Sequence, residues 1–536
     1  MPIRTLKRVC SSDAPAEFAT AEESSLTNQL RGAWRHGTPL NQASLALNQA
    51  SLPLPADRGA LRGDRRAVLA PAVVHIGVGG FHRAHQAVYL DDLARRGHRD
   101  WGEIGVGLRS PAMRDALAPQ DWLFTVVERG RHGDTARIVG SMTGYLYAPD
   151  DPQAVLKVLA DARTRLVTLT ITGNGYPVGP DGCFLAGDPG VRADLAQPRQ
   201  PVTAFGYLVA ALARRRAAGL PAFTVLSCDN LPDNGAAART AVLGMARSHD
   251  PALAAWIEEH ACFPGSMVDR ITPQASSEAR RLVAERFGIA DRWPVITEPF
   301  SQWVIEDRFS CGRPPLEDVG VQFVDDVGPY KLLKTRLLNG GHSALGYLGF
   351  LNGGYETTSD AMANPVIADY LAVLMRQEIA GLLPEVPGVD VDAYQRTLLE
   401  RFANPRISDQ LTRLCGRGST KMPAYLLPSL AEARRQGRPA ALLTLAVAAW
   451  CRYLRGVDRN GAPIDIRDSL RHLLQPLAAR AAGDLRPLLR QRAIFGELGD
   501  DAEFVRAPER AVRDIDEYGP AAAIADRLAI QLLDAA

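Results

Sequence analysis

The stretch His75-Ile76-Gly77-Val78-Gly79-Gly80-Phe81 constrains this chain more than any other. An apolar run, Val73–Ile76, reaches a cluster of glycines and then a helix-compatible segment that begins near Ala84. A backbone that turns this sharply and must also approach a pyrophosphate needs residues without a Cβ. The helix N-terminus that follows supplies free amide N–H groups and the positive end of a dipole. Gly77, Gly79, Gly80 and Phe81 are therefore candidate cofactor contacts. Of the polar residues that follow, Arg83 suits an anion best. His82 and His85 either meet the ligand or are solvated first-turn residues. The spacing departs from the usual GxGxxG, because His82 stands where the last glycine would fall.

The order of elements supports a dinucleotide fold. Strand candidates at Val73–Ile76, Glu103–Gly107, Leu166–Ile171 and Phe223–Ser227 alternate with helix candidates at Ala84–Arg96, Ala154–Ala162 and Thr203–Ala218. Such alternation implies right-handed crossovers and a mostly parallel sheet. From Tyr330 onward the pattern becomes helical, with a period near 3.6 at Ala363–Gly381, Val391–Arg401 and Ala440–Leu454. The expected fold class is α/β: a Rossmann-like doubly wound N-terminal domain followed by a mostly α-helical C-terminal domain. The division expected is a weakly ordered leader at 1–44, a dinucleotide-binding domain at 45–325 and a helical substrate-binding domain at 326–536. Ahead of Val73, the repeated NQASL at 41–45 and 48–52 is too short for a solenoid and reads as a helical arm.

The second strand normally ends in an acid that accepts from the adenosine ribose. Here it ends in Arg109-Ser110-Pro111-Ala112. Arg109 suits a 2′-phosphate or the adenine face, so NAD is expected and NADP stays open. With 61 Lys+Arg against 60 Asp+Glu, no charge footprint for nucleic acid or an anionic membrane exists. The seven cysteines form no CxxC pair and read as reduced thiols of a cytoplasmic protein. No apolar run approaches the ~18–20 residues of a membrane span.

The second informative stretch is Lys331-Leu332-Leu333-Lys334-Thr335-Arg336-Leu337-Leu338-Asn339-Gly340-Gly341-His342. At about 100° per residue, Asn339 lies about 140° and His342 about 80° round from Lys334, so the three share one arc of a helix. A lysine with a depressed pKa can take the hydroxyl proton while hydride leaves the same carbon. Lys331 and Arg336 are close enough in sequence to contribute to that depression, and together with Lys334 they suggest a local excess of cations. An asparagine amide can donate to a developing alkoxide, and a histidine can fix the reacting oxygen. Gly340-Gly341 weakens a helix and suits close approach of a ligand to the backbone.

These segments resemble the polyol-specific long-chain dehydrogenases, a family that includes mannitol, fructuronate and mannonate oxidoreductases. The resemblance runs from about residue 45 to the C-terminus. It rests on GVGGFHRAHQAVY (77–89), SCDNLPDNG (227–235), FPGSMVDRITP (263–273) and the Lys-x4-Asn-x2-His pattern at 334–342. It implies Lys334 as general base, Asn230 and Asn339 as polarisers of the substrate oxygen, and His342 as a substrate and alkoxide ligand. It also implies Asp269 beside the cofactor and lysine, and Arg413 and Lys421 as partners of substrate hydroxyls. The family uses no metal, in keeping with a sequence in which no Cys/His/Glu cluster is visible. A monomer is implied.

Three departures follow. Mannitol members carry TITEGGY where this chain reads TITGNGY, with Gly173 in place of the glutamate. They carry glutamate where Lys331 stands, and an acidic pair where Pro111-Ala112 stands. The two missing glutamates imply a different proton path. The expected activity is metal-independent, NAD(P)-dependent interconversion of a polyol and a ketose, with D-mannitol and D-fructose foremost. A hexuronate reductase and a non-catalytic dinucleotide sensor are the alternatives. A sugar-acid substrate gains weight if Lys331 faces the site rather than the surface.

Overall fold

The computed structural model describes residues 38–41, 69–274, 277–481 and 484–534. Most of the expected leader and arm lies outside the described residues. Within the leader, Thr38–Pro39 pairs in parallel with Ile289–Ala290, and Leu40 is buried beside Leu123 and Ile289. That short piece is docked on the body of the protein.

The parallel sheet is present. Strand β1 (Pro71–Ile76) enters the glycine turn and is followed by α1 (Gly80–Ala84) and α2 (Gln86–Arg95). Then come β2 (Gly102–Gly107), a hairpin of β3 (Phe124–Gly130) and β4 (Gly133–Val139), β5 (Met142–Tyr147) and β6 (Leu166–Leu169). Helix α3 (Ala204–Ala217) precedes β7 (Thr224–Ser227). The order across the sheet is β5-β2-β1-β6-β7, all parallel. Helices cover both faces, which is why β1, β6 and β7 read as continuous buried runs rather than as alternating ones. The order of connection reverses between β1 and β6, and ligands of such sheets bind outside the carboxyl ends of those strands.

Two small sheets add to the sequence expectation. The β3–β4 hairpin is extended by β9 (Val295–Thr297), which is parallel to β3. Strand β8 (Ser266–Asp269) is antiparallel to β10 (Gln302–Glu306), and β11 (Gln322–Val324) completes that sheet. The strands end at Val324 and helices follow. Helix α4 (Gly328–Leu333), a π-helical segment (Lys334–Asn339) and α5 (Gly340–Asn352) form one continuous rod. Beyond it lie α6 (Val391–Phe402), N-capped by the Asp390 carboxylate, and α7 (Ala441–Tyr453). Helix α7 is apolar nearly all round, as a helix at the centre of a bundle must be. The expected helix at Ala363–Gly381 is regular only over Pro365–Val373; it widens into a π segment and closes in a 3₁₀ turn. No helix among the described residues is long and apolar enough to cross a membrane.

Candidate active site

A groove of about 1270 Å³ opens at the carboxyl ends of β1, β2 and β6. Gly77, Gly79, Gly80, Phe81, Arg83 and Arg109 all line it, together with Ser110 and Thr170. Gly77 has φ +103, and a Cβ there would lie 2.3 Å from the Thr170 carbonyl oxygen. No other residue closes this turn without moving β6. The Thr170 hydroxyl donates to Gly77 O at 2.8 Å, tying the turn to the neighbouring strand.

His82 and His85 behave as neither of the two sequence readings, while Arg83 lines the groove from a buried position. His82, Arg83 and His85 are all fully buried. Arg83 lines the groove while its guanidinium donates to the Trp293 carbonyl and lies over the Phe124 ring, and burial draws its pKa down to about 10. His85 bonds the Gln302 carbonyl at 2.9 Å. His82 stacks on His75, ring centroids 3.6 Å apart and planes within 10°, and pairs with Glu103 at 2.7 Å.

The fold thus assembles a His75–His82–Glu103 cluster that the linear sequence does not display. It has the residue types of a metal site but not the directions. An imidazole binds metal in its own ring plane, and two nearly parallel planes 3.6 Å apart share no such point. Both His75 nitrogens are also engaged, by Thr168 and Thr170 hydroxyls at 2.7 and 2.9 Å. Burial pushes the Glu103 carboxyl up to about 7 and His82 down to about 3, so the imidazole is neutral and a proton bound to the pair sits on the carboxyl.

A second cavity, of about 950 Å³, is bordered by Asn230, Asn339, His342, Ser343, Arg413, Lys421 and Tyr425. Lys334 lies behind its wall, 9% exposed, with Nζ donating to Asn230 Oδ1 at 3.2 Å and to the Val268 carbonyl at 2.8 Å. The buried Asn339 Nδ2 and His342 Nε2 atoms have no hydrogen-bond partner. Unpaired polar atoms at such a depth are costly unless a ligand completes them. His342 packs against Phe402 at 4.3 Å, and burial, with Arg413 and Arg401 nearby, holds it neutral, well below its ordinary range. Arg413 spends its charge on Asp409, while Lys421 donates to the Arg413 and Leu414 carbonyls. Burial and the adjacent Arg413 bring Lys421 down to about 8.

Several expectations need correction here. The depression of Lys334 comes first from burial and then from Arg401, opposed by Asp269, and not from Lys331 or Arg336. Lys331 is half-buried and bonds Asn234 Oδ1 at 2.7 Å, with Asp233, Glu306 and Asp326 near it. Arg336 turns away to Glu432 and the Leu382 carbonyl. Of the expected cluster of cations, Arg336 is therefore absent, while Lys331 keeps a like-charge interaction with Lys334 among neighbouring carboxylates. Asp269 stands close enough to Lys334 to favour its ammonium, as expected, but it does not line the groove; Arg401 grips both its carboxylate oxygens, at 2.8 and 3.0 Å. Gly341 serves packing: a Cβ there would meet Met375 at 2.6 Å and Phe402 at 3.3 Å. Finally, Lys334–Asn339 is π-helical rather than α-helical. The three groups still converge, but through a wider turn than the one their spacing presupposes.

Sequence reasoning missed Arg401, Phe402, Glu298, Tyr425 and the Val268 carbonyl. None lies in a motif shared with Lys334, and a backbone carbonyl has no sequence signature. Asp229 is also new. It accepts from the Ile171 and Thr172 amides at 3.1 and 2.7 Å and from the Tyr176 hydroxyl at 2.7 Å, pinning the loop that carries Gly173.

Residues 71–318 match the mannitol dehydrogenase Rossmann domain, and residues 326–516 match the mannitol dehydrogenase C-terminal domain. A mannitol dehydrogenase of Saccharomyces cerevisiae is 45% identical over 92% of this chain and 98% of its own length. A mannitol 2-dehydrogenase of Aspergillus fumigatus is 46% identical over 89% of this chain and 98% of its own. Among solved structures, the Pseudomonas fluorescens mannitol 2-dehydrogenase ternary complex with NAD and D-mannitol is 43% identical. It superposes with a TM-score of 0.81 over 91% of this chain and 99% of that one. A D-sorbitol dehydrogenase in substrate-free form is 37% identical, with a TM-score of 0.80 over 88% and 98%. A glycine-lined groove beside a lysine, two asparagines and a histidine, on a chain matched in both halves, has one consistent assignment: the protein belongs to the mannitol dehydrogenase family.

Proposed function

We propose that this protein oxidises D-mannitol to D-fructose with NAD and runs the reverse reduction, with Lys334 as the base. The observation that carries the reading is the pair of unsatisfied groups, Asn339 Nδ2 and His342 Nε2, bordering the cavity beside a buried lysine. The groove fits a dinucleotide: Gly77 admits no side chain, and its rim offers Arg109 and Ser110 to the phosphates and ribose, with the buried Arg83 in its wall. NAD held there would supply the acceptor for the hydride that leaves the alcohol carbon.

The chain's own residues do the rest. Lys334, kept short of a proton by burial, takes the hydroxyl proton at Nζ. Asn230 bonds Lys334 through Oδ1, which leaves Nδ2 as a donor to the reacting oxygen. Asn339 Nδ2 is a second such donor, and the two stabilise charge that develops as the proton leaves. His342 Nε2 holds that oxygen or the neighbouring hydroxyl, and Arg413 and Lys421 serve the hydroxyls further along the polyol.

Exposed Arg109, with Pro111-Ala112 after it, supports acceptance of NADP beside NAD. The six described cysteines are free, which supports a cytoplasmic setting. Groove, base and oxygen ligands come from one chain, which supports a monomeric working unit. The test is an assay of the purified protein with mannitol, arabinitol, sorbitol and fructuronate against both cofactors. Mannitol and NAD should give the highest kcat/KM. Turnover of fructuronate without fructose would transfer the assignment to a hexuronate reductase, and cofactor binding without any turnover would make the protein a sensor.

A further inference from the structure

Helix α6 ends in Arg401-Phe402, and both side chains reach the lysine and histidine from outside the motifs that define them. Arg401 is 8% exposed. Its guanidinium takes both oxygens of Asp269, at 2.8 and 3.0 Å, and both oxygens of Glu298, at 2.9 and 2.8 Å. Its face lies 4.0 Å from the centroid of the Phe300 ring. Asp269 is the last residue of β8, and its neighbour Val268 is the carbonyl that accepts from Lys334 Nζ. Phe402, one residue on, is the ring against His342.

We infer that Arg401 and Phe402 are positioning residues: Arg401 clamps the strand that aims Lys334, and Phe402 braces the imidazole of His342. The inference rests on the reading of Lys334 as the base. A lysine stem has four rotatable carbons and a point charge at its tip, so it is aimed only by what its nitrogen bonds. One of its two bonds here is to a peptide carbonyl, which moves with β8. A planar fork holding two carboxylates fixes that strand against a helix of the other domain in a way a single ammonium cannot. Misplacement of a reacting group by as little as an ångström costs about 10²-fold.

The clamp also sets charge. Lys334 faces Asp269 from β8, Arg401 from α6, His342 from α5, Lys331 from α4 and His85 from the end of α1. Asp269 favours the ammonium and Arg401 opposes it. Removing Arg401 leaves the nearby carboxylate unbalanced and draws protons to the lysine.

The experiment compares Arg401→Met, Arg401→Lys, Phe402→Leu and Lys334→Ala in the full-length enzyme, each checked for folding by circular dichroism and for NAD binding by fluorescence. In Arg401→Met, the acidic limb of the mannitol-oxidation profile should move up by about one pH unit or more, with kcat at neutral pH down at least about tenfold. Arg401→Lys keeps the charge and should return the limb towards wild type, while kcat stays about tenfold low and KM changes little, because one ammonium cannot hold both carboxylates. A folded Arg401→Met enzyme with an unshifted limb overturns the lysine half. If that variant does not fold, a folded Arg401→Lys enzyme with wild-type kcat overturns it equally. Phe402→Leu should lower kcat/KM severalfold with the limb unmoved, and wild-type constants there overturn the histidine half. Lys334→Ala separates the two levels. If it stays active, the base assignment itself falls; if it is inactive while the Arg401 variants are normal, only this inference falls.

Discussion

The groove at β1 is built from backbone, whereas the cavity at α5 is built from side chains. Around Gly77 the essential property is the absence of atoms: a Cβ would strike the Thr170 carbonyl, and the ligand's place is kept by what the chain leaves out. Around Lys334 the property is the presence of three polar groups, two of them unsatisfied at considerable depth. The difference teaches where each site is vulnerable. A groove of backbone fails by strain and loses binding. A cavity of side chains fails by deletion and loses the chemical step.

The comparison breaks most visibly at the lysine. Lys334→Ala should lower kcat by about 10²–10⁴ while NAD binding, followed by fluorescence titration, stays near wild type. Equal losses in both would mean that the two sites are not separable. Asn339→Ala removes one donor to the developing alkoxide and should cost about 10²–10³ in kcat, measured at saturating mannitol and NAD. An effect confined to KM would make Asn339 a ground-state contact only. Gly77→Ala should do the reverse, weakening NAD by at least about tenfold, because the new methyl must displace β6 or rearrange the turn. Calorimetric titration reads this directly, and an unchanged Kd would show that the turn can relax.

The pH dependence sharpens the contrast further. Burial lowers the Lys334 pKa, so the base is free at a pH where an ordinary lysine is protonated. Mannitol oxidation should therefore fall as pH drops through that value, while fructose reduction, which needs the ammonium, should fall as pH rises through it. The smallest effect belongs under the groove. Glu103 titrates near 7 when folded and near 4.5 when unfolded, so its contribution to stability is present below the unfolded value and lost as pH rises through about 7. Glu103→Gln should raise Tm more at pH 8 than at pH 5, with mannitol turnover little changed.

Much of this was legible in the residues, for identifiable reasons. The glycine turn and four of the five parallel strands are local patterns, and local patterns survive without neighbours; β5 was not foreseen. Lys334, Asn339 and His342 were legible because nine consecutive residues of one rod carry them. The β3–β4 hairpin was not, since it is an excursion that serves contacts with the helical domain, such as Asn404 to the Arg129 carbonyl at 2.9 Å. Arg401 was illegible for a stronger reason. One arginine on an amphipathic helix looks like any other until the fold brings two carboxylates from a different domain to it. Gly341 was misread because a glycine that admits a cofactor and a glycine that admits a methionine look the same in a sequence. Its neighbours Met375 and Phe402 decide the matter.

The π-helical segment at Lys334–Asn339 has a consequence for anyone redesigning this enzyme. Regular winding turns the chain about 100° at each residue, and a π turn takes up one residue more than an α turn does. The wide turn therefore absorbs an extra residue and leaves α5 in the phase that a regular helix one residue shorter would give it. Deleting a single residue from between Lys334 and Asn339 would let the rod close into an ordinary helix without turning α5, and Leu345, Leu348 and Leu351 would stay in the core. What such a deletion removes is the local widening between the lysine and the asparagine. The irregular turn acts as a spacer inside an otherwise continuous helix. Deleting one residue there should therefore leave soluble expression intact while turnover falls.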